Sequence, residues 1–178
     1  NTGGRYHLNA HVVTVDWWIM AEHYAKVATA TDDQQRVHHL TSALSAGHGP
    51  LAGNADYEWI DTDREVVRRH QIRLYAHAAT LLADTDPQQA WLLLEQGCDL
   101  DPLSEELGRR AMRQAAVLGH DHAVRRRLAT LRESLRDNGL ELDQATRVLA
   151  KDLLRQLNAP SSTHDPVTLQ GASRKPVN

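Results

Sequence analysis

The sequence contains little cysteine and few aromatic residues. Its 178 residues include one cysteine, Cys98, and no phenylalanine. One cysteine cannot form an internal disulfide, and we therefore expect a cytoplasmic protein. Cys98 lies between Leu94 and Leu100 in an apolar helical segment, which favours a buried, unreactive thiol. Because phenylalanine is absent, we expect Trp59 and Trp91 to fill the core rather than to act as binding anchors.

The sequence also lacks long apolar runs and an excess of positive charge. No segment approaches the roughly 18 consecutive apolar residues of a membrane helix, so we expect no membrane contact from this chain. The net charge of −3 at pH 7 gives no global attraction to nucleic acid, and any DNA contact must come from a local patch or from another segment. With 41% hydrophobic and 24% charged residues, the composition is typical of one globular domain.

Motifs for catalysis and for cofactor binding are missing. The sequence has no serine or cysteine nucleophile elbow, and its acidic pairs, Asp32-Asp33 and Glu105-Glu106, stand at predicted helix starts, where they complement the helix dipole. The glycine-rich segment 47–56 lacks the Gly-Lys-Ser/Thr of a phosphate-binding loop. The sequence therefore predicts no enzymatic activity and no cofactor.

Eleven histidines raise the question of a metal site. Such a site needs three or four converging ligands, whereas neighbouring histidines on a helix point in different directions. We therefore predict capping or solvated histidines and no metal. The sequence alone assigns a pH response to none of them. The three closest groupings are His38 with His39, His120 with His122, and His7 with His11.

Apolar residues at helical spacing, bounded by capping and turn residues, predict about seven helices. They run from Asp16 to about Ala30, from Asp32 to Gly47, from Tyr57 to about Asp84, from Pro87 to Asp101, through Met112 to Gly119, from Asp121 to Asn138, and from near Asp143 through Leu153. The residues expected on inner faces are Val67, His70, Leu74, Ala78 and Leu81, then Val124, Leu128, Leu131 and Leu135, and finally Ala145, Leu149 and Leu153.

The middle of the chain shows an internal repeat. Ala90 and Ala123 occupy equivalent places in two predicted helix pairs and are 33 positions apart, close to the roughly 34-residue tetratricopeptide period. Small residues at Ala78 and Ala90 allow helices to approach closely, and Pro102 ends a helix. The sequence therefore predicts an all-α fold of tetratricopeptide-like antiparallel helix pairs, with a short β-strand segment before the first helix.

Four further features occur in a characteristic order. They are Gly4-Arg-Tyr-His-Leu with Val15-Asp16, Gly49-Pro-Leu-Ala-Gly with Tyr57-Glu-Trp59 and Asp63-Arg64-Glu65, the segment from Ala90 to Pro102, and Leu135-Arg-Asp-Asn-Gly139-Leu-Glu-Leu. This order resembles the bacterial transcriptional activator domain of SARP-type regulators, the antibiotic regulatory proteins of actinobacteria. The sequence departs from that pattern at Leu142, where the family usually has a proline, and in an arginine run where the family commonly has an aromatic residue.

The resemblance implies how the chain is organised. Residues 1–15 would be the strand remnant of a preceding winged-helix domain, and residues 16–157 the helical activator domain. The polar composition of residues 158–178 predicts a disordered tail. Because the chain begins at Asn1 rather than at methionine, we expect it to be part of a longer protein.

The resemblance also implies a function. The chain would be a non-catalytic interaction or oligomerisation module of a transcriptional regulator, and DNA would be bound only through the upstream winged helix. Its partner would be a second copy of itself, as a homodimer, the transcription machinery or a regulatory protein. The competing interpretation is a helical scaffold in a signalling or envelope-associated protein without a transcriptional role.

A local excess of arginine is the candidate binding feature. It falls on two predicted neighbouring helices and suits an acidic protein partner or phosphate. The alternative is an ordinary solvated face in which Glu133 pairs locally. The candidate partner-binding residues are Arg109, Arg110, Arg113, Arg125, Arg126 and Arg127.

Overall fold

The computed structural model describes residues 14–47, 49, 51–53 and 57–159. Within these residues the chain forms seven α-helices and one 3-10 turn, and no strand. The prediction of an all-α fold with about seven helices is confirmed. The helices are α1 (Asp16–Val27), α2 (Asp33–Ala46), α3 (Asp61–Leu82), α4 (Pro87–Leu100), α5 (Glu105–Val117), α6 (Asp121–Asp137) and α7 (Gln144–Asn158), with the 3-10 turn at Glu58–Ile60 before α3.

The two ends of the chain lie outside this description. The predicted strand segment falls almost entirely in residues 1–13. The predicted disordered tail, residues 158–178, lies beyond residue 159 except for its first two residues, of which Asn158 ends α7. Both assignments therefore stay predictions.

Side-chain caps determine where four of the helices begin. Asp32 and Asp86 accept hydrogen bonds from the backbone N–H groups of Gln35 (2.8 Å) and Gln89 (3.0 Å). Ser104 and Asp143 cap α5 and α7 in the same way. Each such cap contributes about 1 kcal/mol of stability. These are the polar residues that the sequence places just before its apolar periodic segments.

Glycines in the left-handed region end two helices. Gly119 after α5 has φ 74° and Gly139 after α6 has φ 70°. In both turns the next residue closes the helix, since the N–H of His120 donates to the carbonyl of Ala115 (2.9 Å) and that of Leu140 to Leu135 (2.8 Å). Glycine adopts this conformation without a Cβ clash.

Consecutive helices form antiparallel pairs. At the start of α3, Arg68 donates from Nη1 to the carbonyl oxygen of Leu100 at the end of α4 (2.8 Å). Helices of successive pairs also touch, because Arg110 of α5 donates to the carbonyl oxygen of Ala76 in α3 (2.7 Å). The partners in the second bond are 34 residues apart, which is about one repeat period. This is the predicted tetratricopeptide-like arrangement.

The core follows the array from one end to the other. One group of buried side chains joins α1 to α5 and includes Leu40, Leu74, Ala78 and Ala90. A second joins α5, α6 and α7 around Met112. The inner-face predictions for Val67, Leu74 and Ala78 in α3, and for Val124, Leu131 and Leu135 in α6, are confirmed.

The prediction that Trp59 is a core residue is wrong. Its side chain is 71% exposed, and Ile60 beside it is buried instead. Trp59 lies in the 3-10 turn rather than on the periodic face of α3, so the buried stripe of α3 does not extend to it. Trp91, the other tryptophan expected in the core, is half-buried and packs against the Met112 group.

The prediction for the inner face of α7 is right for Leu153, which packs against the Met112 group, and wrong for Ala145. Ala145 is exposed, whereas Thr146 and Ala150 are buried. Thr146 is accommodated in the interior because its hydroxyl donates to the Glu105 carboxylate and accepts from Arg109 Nη1 (3.1 Å). A pattern of apolar residues alone cannot identify such a buried polar position, because burial here depends on hydrogen-bond partners from α5.

Candidate interaction surfaces

Arg127 is an interior residue rather than a surface one. Its side chain is only 10% exposed, and Glu95 opposite it in α4 is 16% exposed. The guanidinium donates through Nε to Glu95 Oε1 (3.0 Å) and through Nη2 to Glu95 Oε2. Burial alone would lower the pKa of Arg127, but the hydrogen bond to Glu95 and the nearby negative charges raise it. This ion pair fixes α6 against α4 and leaves Arg127 unavailable to a partner.

Arg109 and Arg110 are also engaged between helices. Arg110 Nη2 donates to the hydroxyl oxygen of Thr80 (2.7 Å) in addition to the Ala76 carbonyl in α3. Arg109 reaches in another direction, to Thr146 and Asp143 at the start of α7, and pairs with Glu106 on its own helix (2.8 Å). Both side chains therefore stabilise the helix array.

The other three candidate arginines are exposed. Arg125 and Arg126 are 55% and 59% exposed. Their charged partners are distant, at 3.6 Å for Asp121 and 3.8 Å for Glu95, so these pairs are weak. Arg113 on α5 is exposed as well. These three residues are the part of the predicted set that remains accessible to a protein partner.

Together these placements divide the arginine set. Arg110, Arg109 and Arg127 contact α3, the start of α7 and α4, respectively. The other three arginines are exposed to solvent. The sequence did contain a signal for Arg127, because Glu95 lies 32 residues before it, about one repeat period. Equivalent positions of successive helix pairs are adjacent in a stacked array, so an arginine and a glutamate at that offset indicate an internal ion pair.

An exposed aromatic pair precedes α3. Tyr57 and Trp59 stack with ring centroids 5.8 Å apart and an interplanar angle of 21°, and Tyr57 is 52% exposed. Stacked aromatic side chains on a surface offer a large apolar area at little cost in conformational entropy, which is why such residues anchor protein interfaces. The sequence interpretation gave this role to neither residue.

The first turns of α3 also form a charged cluster. Glu65 accepts hydrogen bonds from Arg68 Nε (2.7 Å) and Arg69 Nε (2.7 Å). These two bonds lower the pKa of Glu65 to about 2. A cavity of about 280 Å³ lies beside the cluster and is lined by Leu51, Val67 and Leu100 among others. Arg64 and Arg68 at its edge are engaged with backbone carbonyls of Leu51, Gly53 and Leu100.

The family of the chain follows from its sequence together with this helix array. A model of the bacterial transcriptional activator domain matches residues 15–154, which include nearly all of the seven helices. The chain belongs to the bacterial transcriptional activator domain family. No curated protein and no solved structure matches it significantly.

Within this activator domain, Cys98 lies where the sequence predicts. It is 3% exposed in α4, and burial raises the pKa of its thiol to about 11. Since the thiolate is the reactive form, the folded chain suppresses the nucleophilicity of Cys98. Cys98 is therefore a structural core residue.

The histidines of the activator domain fall into contacts that the sequence did not predict. His23, His38 and His39 of α1 and α2 come together, and His120 packs edge-on against Trp91 (ring centroids 5.5 Å apart). In the described ranges no three His, Cys, Asp or Glu side chains are arranged to hold a metal ion. The same ranges include no helix with both the length and the apolar character needed to cross a membrane.

Proposed function

We propose that this chain is the helical, non-catalytic interaction module of a cytoplasmic transcriptional regulator of the SARP type. The observation that carries the proposal is the match to the bacterial transcriptional activator domain over residues 15–154. The match extends over a continuous array of helix pairs, an architecture that typically presents extended binding surfaces to other proteins. In this role the chain binds other proteins and catalyses no reaction.

DNA binding is assigned to a winged-helix domain upstream in the same regulator. Two properties of the chain support the assignment of DNA binding to another domain. The net charge is −3, so a phosphate backbone would be repelled on average. Half of the candidate arginines are engaged inside the array, among them Arg127 with Glu95 and Arg110 with Ala76.

The partner surface is assigned to the exposed arginines Arg113, Arg125 and Arg126. Guanidinium groups with weak or distant carboxylate partners gain most from an acidic partner, because they give up little when they bind. The proposed partner is therefore an acidic segment of the transcription machinery, of a regulatory protein or of a second copy of this chain.

The test uses the full regulator and a promoter reporter. Reversing Arg113, Arg125 and Arg126 to glutamate should lower transcriptional activation while leaving the melting temperature and DNA binding nearly unchanged. The matched control reverses Arg73, Arg147 and Lys151, three exposed basic residues elsewhere on the array, and should retain activation. If both triple variants activate like the parent protein, the arginine surface has no role in binding. If deletion of residues 16–157 leaves activation intact, the module itself has none.

A further inference from the structure

Three histidines from α1 and α2 meet in the first helix pair. His23 Nδ1 of α1 lies 3.2 Å from His39 Nδ1 of α2. The ring centroid of His39 is 5.5 Å from that of His23 and 5.4 Å from that of His38, and the centroids of His23 and His38 are 6.4 Å apart. Three imidazoles from two helices thus form one cluster, which we call the α1–α2 histidine cluster.

The contact between His23 and His39 requires a particular protonation state. Two Nδ1 atoms at hydrogen-bond distance need one hydrogen between them, so one nitrogen donates and the other must carry a free lone pair. When both rings are protonated, each Nδ1 is a donor and the hydrogen bond is lost. The two positive charges are then placed against each other across the helix pair.

Glu22 interacts electrostatically with His23 and offsets part of the repulsion there, whereas the charges around His39 do not offset it. Burial lowers the pKa of His39 below its ordinary value of 6.5, and the neighbouring His38, His23 and Lys26 lower it further. Lys26 is bound to Glu22 on its own helix (2.6 Å). No carboxylate is among the groups that shift the pKa of His39.

The remaining helix packed against α1 and α2 is α3, and its histidines make different contacts. His70 packs edge-on against Trp17 (ring centroids 5.2 Å apart), and His77 against Tyr24 (6.4 Å). Imidazolium beside an aromatic ring does not meet a second positive charge there. Among α1, α2 and α3 the repulsion expected in acid therefore arises at the contact between α1 and α2. A separate histidine pair, His120 and His122 with ring centroids 5.9 Å apart, lies at the start of α6.

We propose that the α1–α2 histidine cluster is an acid-sensitive latch, which holds α1 against α2 at neutral pH and releases it when the cluster is protonated. The sign follows from proton uptake. Because the pKa of His39 is lower in the folded chain, unfolded or opened forms bind more protons as pH falls. The stabilisation is complete above pH 6.5 and is lost as pH falls through the lowered pKa.

Hydrogen exchange read by mass spectrometry on the full chain tests the latch. Protection factors, corrected for the intrinsic pH dependence of exchange, are compared at about pH 7.5 and about pH 5 for peptides of α1 and α2 and for peptides of α5 to α7. Each pH unit by which opening raises the pKa of His39 corresponds to about a tenfold change in the opening equilibrium. We expect protection of α1 and α2 to fall several-fold in acid, with α5 to α7 changing little.

Variants identify the groups responsible. His39→Gln cannot be protonated and should remove most of the acid-induced loss of protection, whereas His122→Gln, at an exposed histidine outside the cluster, should behave like the parent chain. Equal loss in the parent chain and His39→Gln would overturn the proposal, as would equal loss in all helices. Should His39→Gln fail to fold, an NMR titration of the intact chain decides, because a His39 midpoint at or above 6.5 contradicts the latch.

Discussion

Replacing Arg127 by methionine should destabilise the protein strongly, although the residue belongs to a set that looks like a surface patch in the sequence. Methionine retains most of the apolar stem of the side chain, so the main loss is the guanidinium. Glu95, only 16% exposed, would then keep its charge without its principal partner. Removing one member of a buried ion pair costs about 3 to 5 kcal/mol, and Arg126 at 3.8 Å offers limited compensation, so we expect about 3 kcal/mol.

Urea and thermal denaturation followed by circular dichroism measure this cost. For a chain of this size, about 3 kcal/mol corresponds to a decrease in melting temperature of roughly 6 to 12 °C. The matched control is Arg126→Met, which removes an exposed guanidinium from the same carboxylate and should cost less than about 1 kcal/mol. The double variant Arg127→Met/Glu95→Met should recover much of the loss, because no unpaired charge remains buried.

Two results would contradict the role of Arg127 as a buried partner of Glu95. If Arg127→Met and Arg126→Met cost the same, or if the costs of Arg127→Met and Glu95→Met simply add, Arg127 is not an interior tie between α6 and α4. Arg127 would then be a candidate partner-binding residue, like Arg113, Arg125 and Arg126.

Three further results are expected from the same protein. Cys98, whose pKa is raised to about 11, should resist iodoacetamide at pH 8 in the folded chain and react after unfolding. The neutral thiol of Cys98 stabilises the fold below pH 9, and this contribution is lost as pH rises through about 11. Glu65 should titrate near pH 2 by NMR, so its contribution to stability is present above pH 4.5 and is lost as pH falls through about 2, whereas a midpoint near 4.5 would mean that its arginine contacts do not form. Trp59→Ala should change the free energy of unfolding by less than about 0.5 kcal/mol, whereas Trp91→Ala, which removes a half-buried ring, should cost about 3 kcal/mol; equal costs would contradict the exposure of Trp59.

Local signals in the sequence were sufficient to predict the helix array. Asp32 and Pro87 mark helix starts, Gly119 and Gly139 mark helix ends, and each of these signals acts over only a few residues. The spacing of Ala90 and Ala123 then placed the helices in equivalent pairs. For such residues, helix geometry alone decides the structure.

The errors arose where burial depends on contacts between distant residues. Trp59 was expected inside because the sequence has no phenylalanine to fill the core, but its position in a 3-10 turn leaves it exposed beside Tyr57. Thr146 is buried because Glu105 and Arg109 satisfy its hydroxyl. Net charge and local arginine density likewise could not separate Arg127, which meets Glu95, from Arg125 in solvent.

One experiment tests directly whether DNA is bound by an upstream domain rather than by this chain. Light scattering measures the mass of this chain, and of a version extended through the upstream domain, each with and without duplex DNA. We expect that only the extended form binds DNA. DNA binding by this chain alone would contradict the assignment of DNA binding to the upstream domain. If the extended form does not bind DNA either, the chain is better explained as a scaffold without a transcriptional role.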